Sequence, residues 1–361
     1  MAWNDGVDGA TEHPSLALPP AELPPVTTPQ ITPVRLRRME LADSPAAFVL
    51  SEIAFDPPGA ATAEEHAARQ ERWSRQGRAW HSWLHARAGD NAWVATSGAD
   101  DCVVGYARAL RDPARRLEQL TELYVHPAFQ RGKVGKALLS AVLAEQVPQG
   151  WRRVIVAHPS PAALALYYRW GTLPLGAAWY VVTRPHPQLR SSFAGEGRSL
   201  DEKVALDKQI IQQGVRHDSL PLASSNAPYD HPFSIRREGV GGWGQLPFVA
   251  THLGATISQR QRDGETVAWG ARCGGEIGPL WGATPADALA LTHAQMAEAW
   301  QTGAAQLGLW VPAANTTLLR WLRETSGPRL RLCSQVMIMG SDPALAEHLD
   351  RSLLTAPPYV W

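Results

Sequence analysis

The chain has 361 residues, 45% hydrophobic and 19% charged, with 34 basic and 34 acidic side chains and zero formal net charge. That length suffices for two domains with full cores, and the charge balance gives no global support for a nucleic-acid or anionic-membrane partner. The three cysteines, Cys102, Cys273 and Cys333, are scattered and odd in number. They build neither a disulfide framework nor a metal spacing and fit a reducing cytoplasm. No apolar run reaches transmembrane length, and no basic-then-apolar signal segment is evident.

Residues 1–33 carry seven prolines and no apolar periodicity, which reads as an extended arm. A first strand is expected over Ile31 to Met39. Ser44-Pro45 reads as a cap followed by an N1 proline, opening a helix with Phe48, Val49 and Ile53 on one face. Asp56-Pro57-Pro58-Gly59 breaks that helix, and Thr62-x-x-Glu65 is a capping box for the next. Trp73, Trp80, Trp83 and Leu84 then recur at helical spacing, as a core stripe does. A meander follows: Ala92 to Thr96, a turn at Gly98 to Asp101, Cys102 to Leu110, then Leu117 to Val125. A helix from Val134 to Gln146 comes next. The series then runs through a strand Arg153 to Ala157, a helix Pro161 to Trp170 and a strand Ala178 to Val182. Residues 184–197, with Pro185, Pro187, Gly195 and Gly197, read as a linker.

The segment from Gln130 to Lys136 is the most informative. It joins a strand to the N-terminus of an amphipathic helix, where backbone N–H groups lack partners and the helix dipole is positive. That arrangement binds phosphate. Arg131, Lys133 and Lys136 add charge, and two of the chain's four lysines sit here. The loop matches neither the Walker pattern nor the dinucleotide pattern. Gln130, Arg131, Gly132, Lys133, Val134 and Gly135 resemble motif A of the GNAT superfamily of N-acetyltransferases, [Q/R]-x-x-G-x-[G/A]. Lys133 stands where the family has its first glycine.

The resemblance implies a fold, a co-substrate and a set of residues. The fold is of the α/β class, as an α+β mixed sheet. It has two GNAT-like domains, each a twisted, mostly antiparallel sheet flanked by helices, with the fourth and fifth strands splayed in the first. The co-substrate is acetyl-CoA, with no metal. Its pyrophosphate falls to Gln130 through Lys136, and its pantetheine arm to Leu123, Tyr124 and Val125 with Val156 to His158 opposite. Ser160 lies where the family often has an asparagine touching CoA. Tyr167, in A-x-x-x-Y-x-R-x-G, falls on the general-acid tyrosine, and Glu122, then Glu118, on the candidate bases. His126 and His158 read as polar strand ends. The tryptophan stripe has a second reading as an aromatic wall of the acceptor pocket, since these two helices flank the substrate side in GNAT folds.

The second half repeats the first weakly: Ala255 to Gln259, Thr266 to Arg272, Ile277 to Trp281, helix Ala286 to Gln301, strand Gly308 to Val311, helix Thr316 to Glu324, strand Leu330 to Met339. It lacks the basic glycine loop after Gly278, and Leu322 stands at the tyrosine position. This resembles a tandem arrangement with a degenerate C-terminal domain. The expected partition is an arm over 1–30, a catalytic domain over 31–183, a linker over 184–200 and the degenerate domain over 201–361. Two functions stay open: a cytoplasmic N-acetyltransferase acting on a small amine in a ternary complex, and a non-catalytic CoA-binding or interaction protein. The acceptor is not read from sequence, and a homodimer is left open.

Overall fold

The computed structural model describes residues 33–54, 73–113, 116–184, 255–263 and 265–345, isolated positions within 64–71, and two short strands at Val215–Arg216 and Leu353–Leu354. The proline-rich arm, the Thr62 capping box, the linker beyond Arg184 and most of 200–250 lie outside the described residues. The chain forms two compact units. One is Met1–Leu110 with Glu122–Leu143, and the other is Arg111–Thr121 with Ala144–Trp361.

In the first unit, β1 (Val34–Arg38) pairs antiparallel with β2 (Ala92–Ser97), and β2 with β3 (Cys102–Asp112). The inner part of β3 is continuously buried, as expected for a strand covered on both faces. One face carries α1 (Ser44–Ile53) and α2 (Arg78–Ala88). Phe48 of α1 meets Trp73, just before α2, with ring centroids 5.2 Å apart. Helix α3 (Val134–Val142) lies on the other face, where Leu138 and Val134 fill the space above Gly105. Asp43, not Ser44, occupies the N-cap of α1, and its carboxylate accepts from the Glu40 backbone and from Arg37. The cap expected at Ser44 is therefore one residue early. In the tryptophan stripe, Trp73 and Leu84 are core, while Trp80 and Trp83 are half-buried and stack on each other at 5.2 Å.

Strand β4 (Leu117–Val125) has the expected bounds. Its first residues belong to the second unit and pair parallel with β5 (Arg152–Ala157), from Leu117↔Arg152 to Leu120↔Ile155, and no further. Helix α4 (Pro161–Tyr168) leads to β6 (Leu173–Thr183). The second half supplies β8 (Thr256–Arg262), β9 (Glu265–Cys273), β10 (Glu276–Gly282), α5 (Pro285–Gln301), β11 (Leu307–Pro312), α6 (Thr316–Ser326) and β12 (Arg331–Gly340). With β7 and β13 for the two short strands, the second unit's sheet runs β4-β5-β12-β6-β11-β10-β9-β8-β7, and β13 pairs with β10. This is a mixed sheet flanked by helices. Its apolar core in the second half joins Leu291 and Met296 of α5 to Leu309, Val311 and Leu322.

The elements from β8 to β12 repeat those from β2 to β6 in order, and the last strands of the two series are exchanged. β12 lies against β5, pairing Met337 with Ala157 and Gly340 with Val154. β6 lies against β11, pairing Thr183 with Leu307 and Ala178 with Pro312. β6 and β12 also pair with each other. A chain ending at residue 190 thus loses the strands on both edges of β6 and one edge of β5. We expect it to lack near-ultraviolet circular dichroism and to bind hydrophobic dye. A monomeric product with native-like near-ultraviolet signal would show that the exchange is dispensable.

Candidate active site

The loop after β4 is built by short-range bonds. The His126 N–H donates to the Val104 carbonyl at 2.9 Å, ending the strand. His126 Nδ1 accepts from Ala128 N–H at 3.2 Å and caps a 3-10 turn at Pro127–Phe129. Burial lowers the pKa of this imidazole. The Gln130 side-chain amide donates to the carbonyls of Val125, at 3.2 Å, and Ala54, at 3.3 Å. Gln130 therefore pins the loop to the end of β4 and the end of α1, a role its motif position did not reveal.

Arg131 and Lys133 both have φ of 66°, and Gly132 between them is not left-handed. Lys133 is the N-cap of α3 and makes no side-chain cap bond. The conformational demand thus falls on the lysine, and the glycine one place earlier does not meet it. A left-handed non-glycine residue costs about 1–2 kcal/mol. A Cβ on Gly135 would meet Val125 Cγ2 at an ordinary 3.6 Å, so the protein's own packing does not require glycine there. The side chains of Arg131, Lys133 and Lys136 are exposed around the first turn of α3. That turn has no acidic residue, so dipole and side-chain charge act together on an anion.

Behind the loop, in the same unit, lies a buried polar cluster. Arg108 is fully buried and donates to Glu122 Oε2 at 2.7 Å. It also meets His81 Nδ1 at 3.1 and 3.2 Å. Guanidinium has no acceptor, so Nδ1 accepts and the His81 proton sits on Nε2. Tyr106 O–H donates to Glu122 Oε1 at 3.3 Å, and its ring stacks on Tyr124 at 5.4 Å. Burial first, and the Glu122 charge second, push the Tyr106 pKa well up. Burial first, and Arg108 second, hold the His81 pKa well below its usual value. Glu122 and Tyr124, at period two, share the α1/α2 side of β4, while Val125 turns toward α3. Leu123, Tyr124 and Val125 are half-buried.

In the second unit, Glu118 and Arg153 are fully buried and form an ion pair, with Arg153 Nε 2.6 Å from Glu118 Oε1. Arg153 also donates to the carbonyls of Trp170 and Ala144, and Arg111 approaches the second oxygen of Glu118 at 3.5 Å. Glu118 is thus committed to arginine. The bond to Ala144 also accompanies the early end of α3 at Val142, four residues before the expected Gln146. Tyr167 is buried on α4, and burial raises its pKa, so the phenol stays protonated across the working range. Its neighbour Tyr168 points to solvent. Ser160 is the N-cap of α4, accepting from Ala163 N–H at 3.3 Å, and His158 Nδ1 accepts from Ser160 N–H. The residues that sequence reasoning missed are Arg108, Arg153 and His81. The arginines stand on apolar strands, where a buried charge needs a carboxylate partner, and that was the available signal. Among the described residues, no group of three or more His, Cys, Asp or Glu could hold a metal, and no helix is long and apolar enough to cross a membrane.

Residues 88–171 match the family described as acetyltransferase (GNAT) domain. This stretch of the chain is a GNAT domain. It runs from the end of α2 through α4 and includes the loop, Glu118, Glu122, Ser160 and Tyr167. A candidate acetyltransferase from Pyrococcus horikoshii has a similar fold, with TM-score 0.58 and 14% identity over 91% of this chain and 95% of its own. A GCN5-related N-acetyltransferase from Sphaerobacter thermophilus is similar at TM-score 0.48 and 17% identity, over 88% of this chain and 97% of its own. No curated protein sequence matches significantly.

We expect His81 to make the stability of the first unit depend on pH. Its folded pKa lies below the unfolded value of about 6.5. The native state binds fewer protons there, so stability present above that pH is lost as pH falls below it. His85 and His126 shift the same way. His81→Asn keeps an acceptor for Arg108 but cannot titrate. We expect its melting temperature to fall less than the wild type's between pH 7 and pH 5. Equal slopes would show that His81 contributes nothing to the acid sensitivity.

Proposed function

We propose that the GNAT domain transfers an acetyl group from acetyl-CoA to a small amine, by direct attack within a ternary complex. The observation that carries this reading is the uncapped start of α3, ringed by Arg131, Lys133 and Lys136, within a stretch that matches an acetyltransferase domain. Acetyl-CoA supplies an anionic pyrophosphate, which suits that helix end. We assign one active site to the chain, in a catalytic domain over 31–183, with 201–361 as a degenerate GNAT-like partner in a tandem arrangement and a cytoplasmic location.

The chemistry assigned to each residue follows from proton bookkeeping. An alkylammonium acceptor has a pKa near 10.4 and must lose a proton before attack. Glu122 is our choice of base, directly or through water, over Glu118, because Glu118 is locked between two arginines. The neutral amine attacks the thioester carbonyl, the C–S bond breaks, Tyr167 gives its phenolic proton to the departing sulfur, and the proton left on the acylated nitrogen restores the phenol. We expect Tyr167→Phe and Glu122→Gln each to lower turnover by about 10²-fold, with acetyl-CoA affinity little changed. An amine-library screen reporting free CoA thiol finds the acceptor and supplies the assay. Full turnover by folded Tyr167→Phe protein would remove the tyrosine from the mechanism.

The left-handed Lys133 and the use of Ser160 as a helix cap favour a second reading, a non-catalytic CoA-binding or interaction protein. Lys133→Gly addresses it. Glycine relieves about 1 kcal/mol of backbone strain, so the unliganded protein should melt about 2–4 °C higher. Loss of the ammonium should weaken acetyl-CoA binding in calorimetry, and the deficit should shrink at high salt. Tighter binding that is insensitive to salt would mean that the lysine only impairs this loop.

A further inference from the structure

In the second half, β10 and β11 stand in the places that β4 and β5 hold in the first. They pair in parallel at only two positions, Glu276↔Gly308 and Ile277↔Leu309. β10 then bulges between Ile277 and Leu280, with Gly278 at φ of 133°. Past the bulge, Leu280 and Trp281 pair with β9 on one edge. Their other edge is taken by β13, with Leu280↔Leu354 and Trp281↔Leu353 antiparallel, and β13 also contacts β11. A C-terminal strand thus lies in the gap where two parallel strands part.

A second observation concerns the helix that follows. Asp287, in the first turn of α5, is buried and ion-paired with Arg262 and Arg260. The N-cap Thr284 accepts from the Asp287 N–H at 3.2 Å and donates to its carboxylate at 2.6 Å. The positive end of α5 is therefore already met by an internal anion. The turn from β10 is also pressed onto this helix end, since a Cβ on Gly282 would overlap the backbone nitrogen of Ala288. At α3, by contrast, the cap is a lysine without a cap bond and the first turn holds no acid.

We propose that the gap between β10 and β11 is a peptide-strand site, filled in cis by the C-terminal strand Leu353–Leu354. Its ligand class is an extended apolar peptide that adds main-chain hydrogen bonds to the edge of β10 that β13 covers. An anionic nucleotide is not its ligand, because Asp287 occupies the helix end that would receive the phosphates. This site does not depend on acetyl transfer in the first half.

The test uses hydrogen exchange over residues 276–283 in the full chain and in a chain ending at residue 346. Deletion should speed exchange there by at least about tenfold and lower the melting temperature. A synthetic peptide of residues 347–361, added in trans, should restore both. Leu354→Pro in the full chain gives the same exchange readout if the shortened chain fails to fold. Unchanged exchange in either variant, or a folded shortened chain that ignores the peptide, would overturn the site. Acetyl-CoA calorimetry should show no additional binding equivalent after deletion, and a new equivalent would overturn the exclusion of nucleotides.

Discussion

The guanidinium of Arg153 is the fixed point of the second unit. It has no exposure to water and reaches three partners: Glu118 on β4, the Ala144 carbonyl beyond α3, and the Trp170 carbonyl beyond α4. Its backbone bonds Ser341 at the end of β12 in both directions. A lone buried charge is costly, and breaking such a pair from one side costs about 3–5 kcal/mol. Burial lowers the pKa of Arg153, while Glu118 opposes that shift. The same two residues are register partners of β4 and β5, at Glu118↔Arg153. Glu118 is also left paired with arginine on both oxygens. A single electrostatic requirement thus ties together β4, β5 and the segments that follow α3 and α4.

Much of this was legible in the sequence where the signal is local. The bounds of β4 and the start of α3 follow from strand patterning and from a glycine-bearing loop before an amphipathic run. The two tyrosines of α4 separate as helical geometry requires, Tyr167 inward and Tyr168 outward. The exchange of β6 and β12 was not legible. Alternation identifies a strand but not its neighbour, and the partner of β5 lies far along the chain. The arginine partners of the β4 carboxylates were not legible, because Arg108 and Arg153 come from other strands. Ser160 illustrates a further limit. Its place in a family pattern suggests a ligand contact, while the residues just after it, Pro161 to Ala163, make it equally a helix cap.

The two helix starts that follow β4 and β10 show how one backbone device is used in opposite ways. Both helices bring a dipole to the end of a strand. At α3 the neighbouring side chains are cations, and the backbone is held left-handed at Lys133. At α5 a buried aspartate takes the position of an anion and carries its own arginines. The contrast lies in a few residues, and it separates a helix start ringed by exposed cations from one closed by a buried aspartate more clearly than any difference in fold.

The strand exchange also has a consequence in time. Ribosomes release the chain from its N-terminus, so β5 emerges long before β12, which begins roughly 170 residues later and arrives on the order of 10–30 s afterwards at ordinary elongation rates. During that interval one edge of β5 and both edges of β6 have no native partner. Unpaired edges of apolar strands are templates for association with other nascent chains. Synthesis of the second half is therefore the vulnerable phase in the life of this protein, and the pace of translation through it bears on yield as directly as the stability of the finished fold.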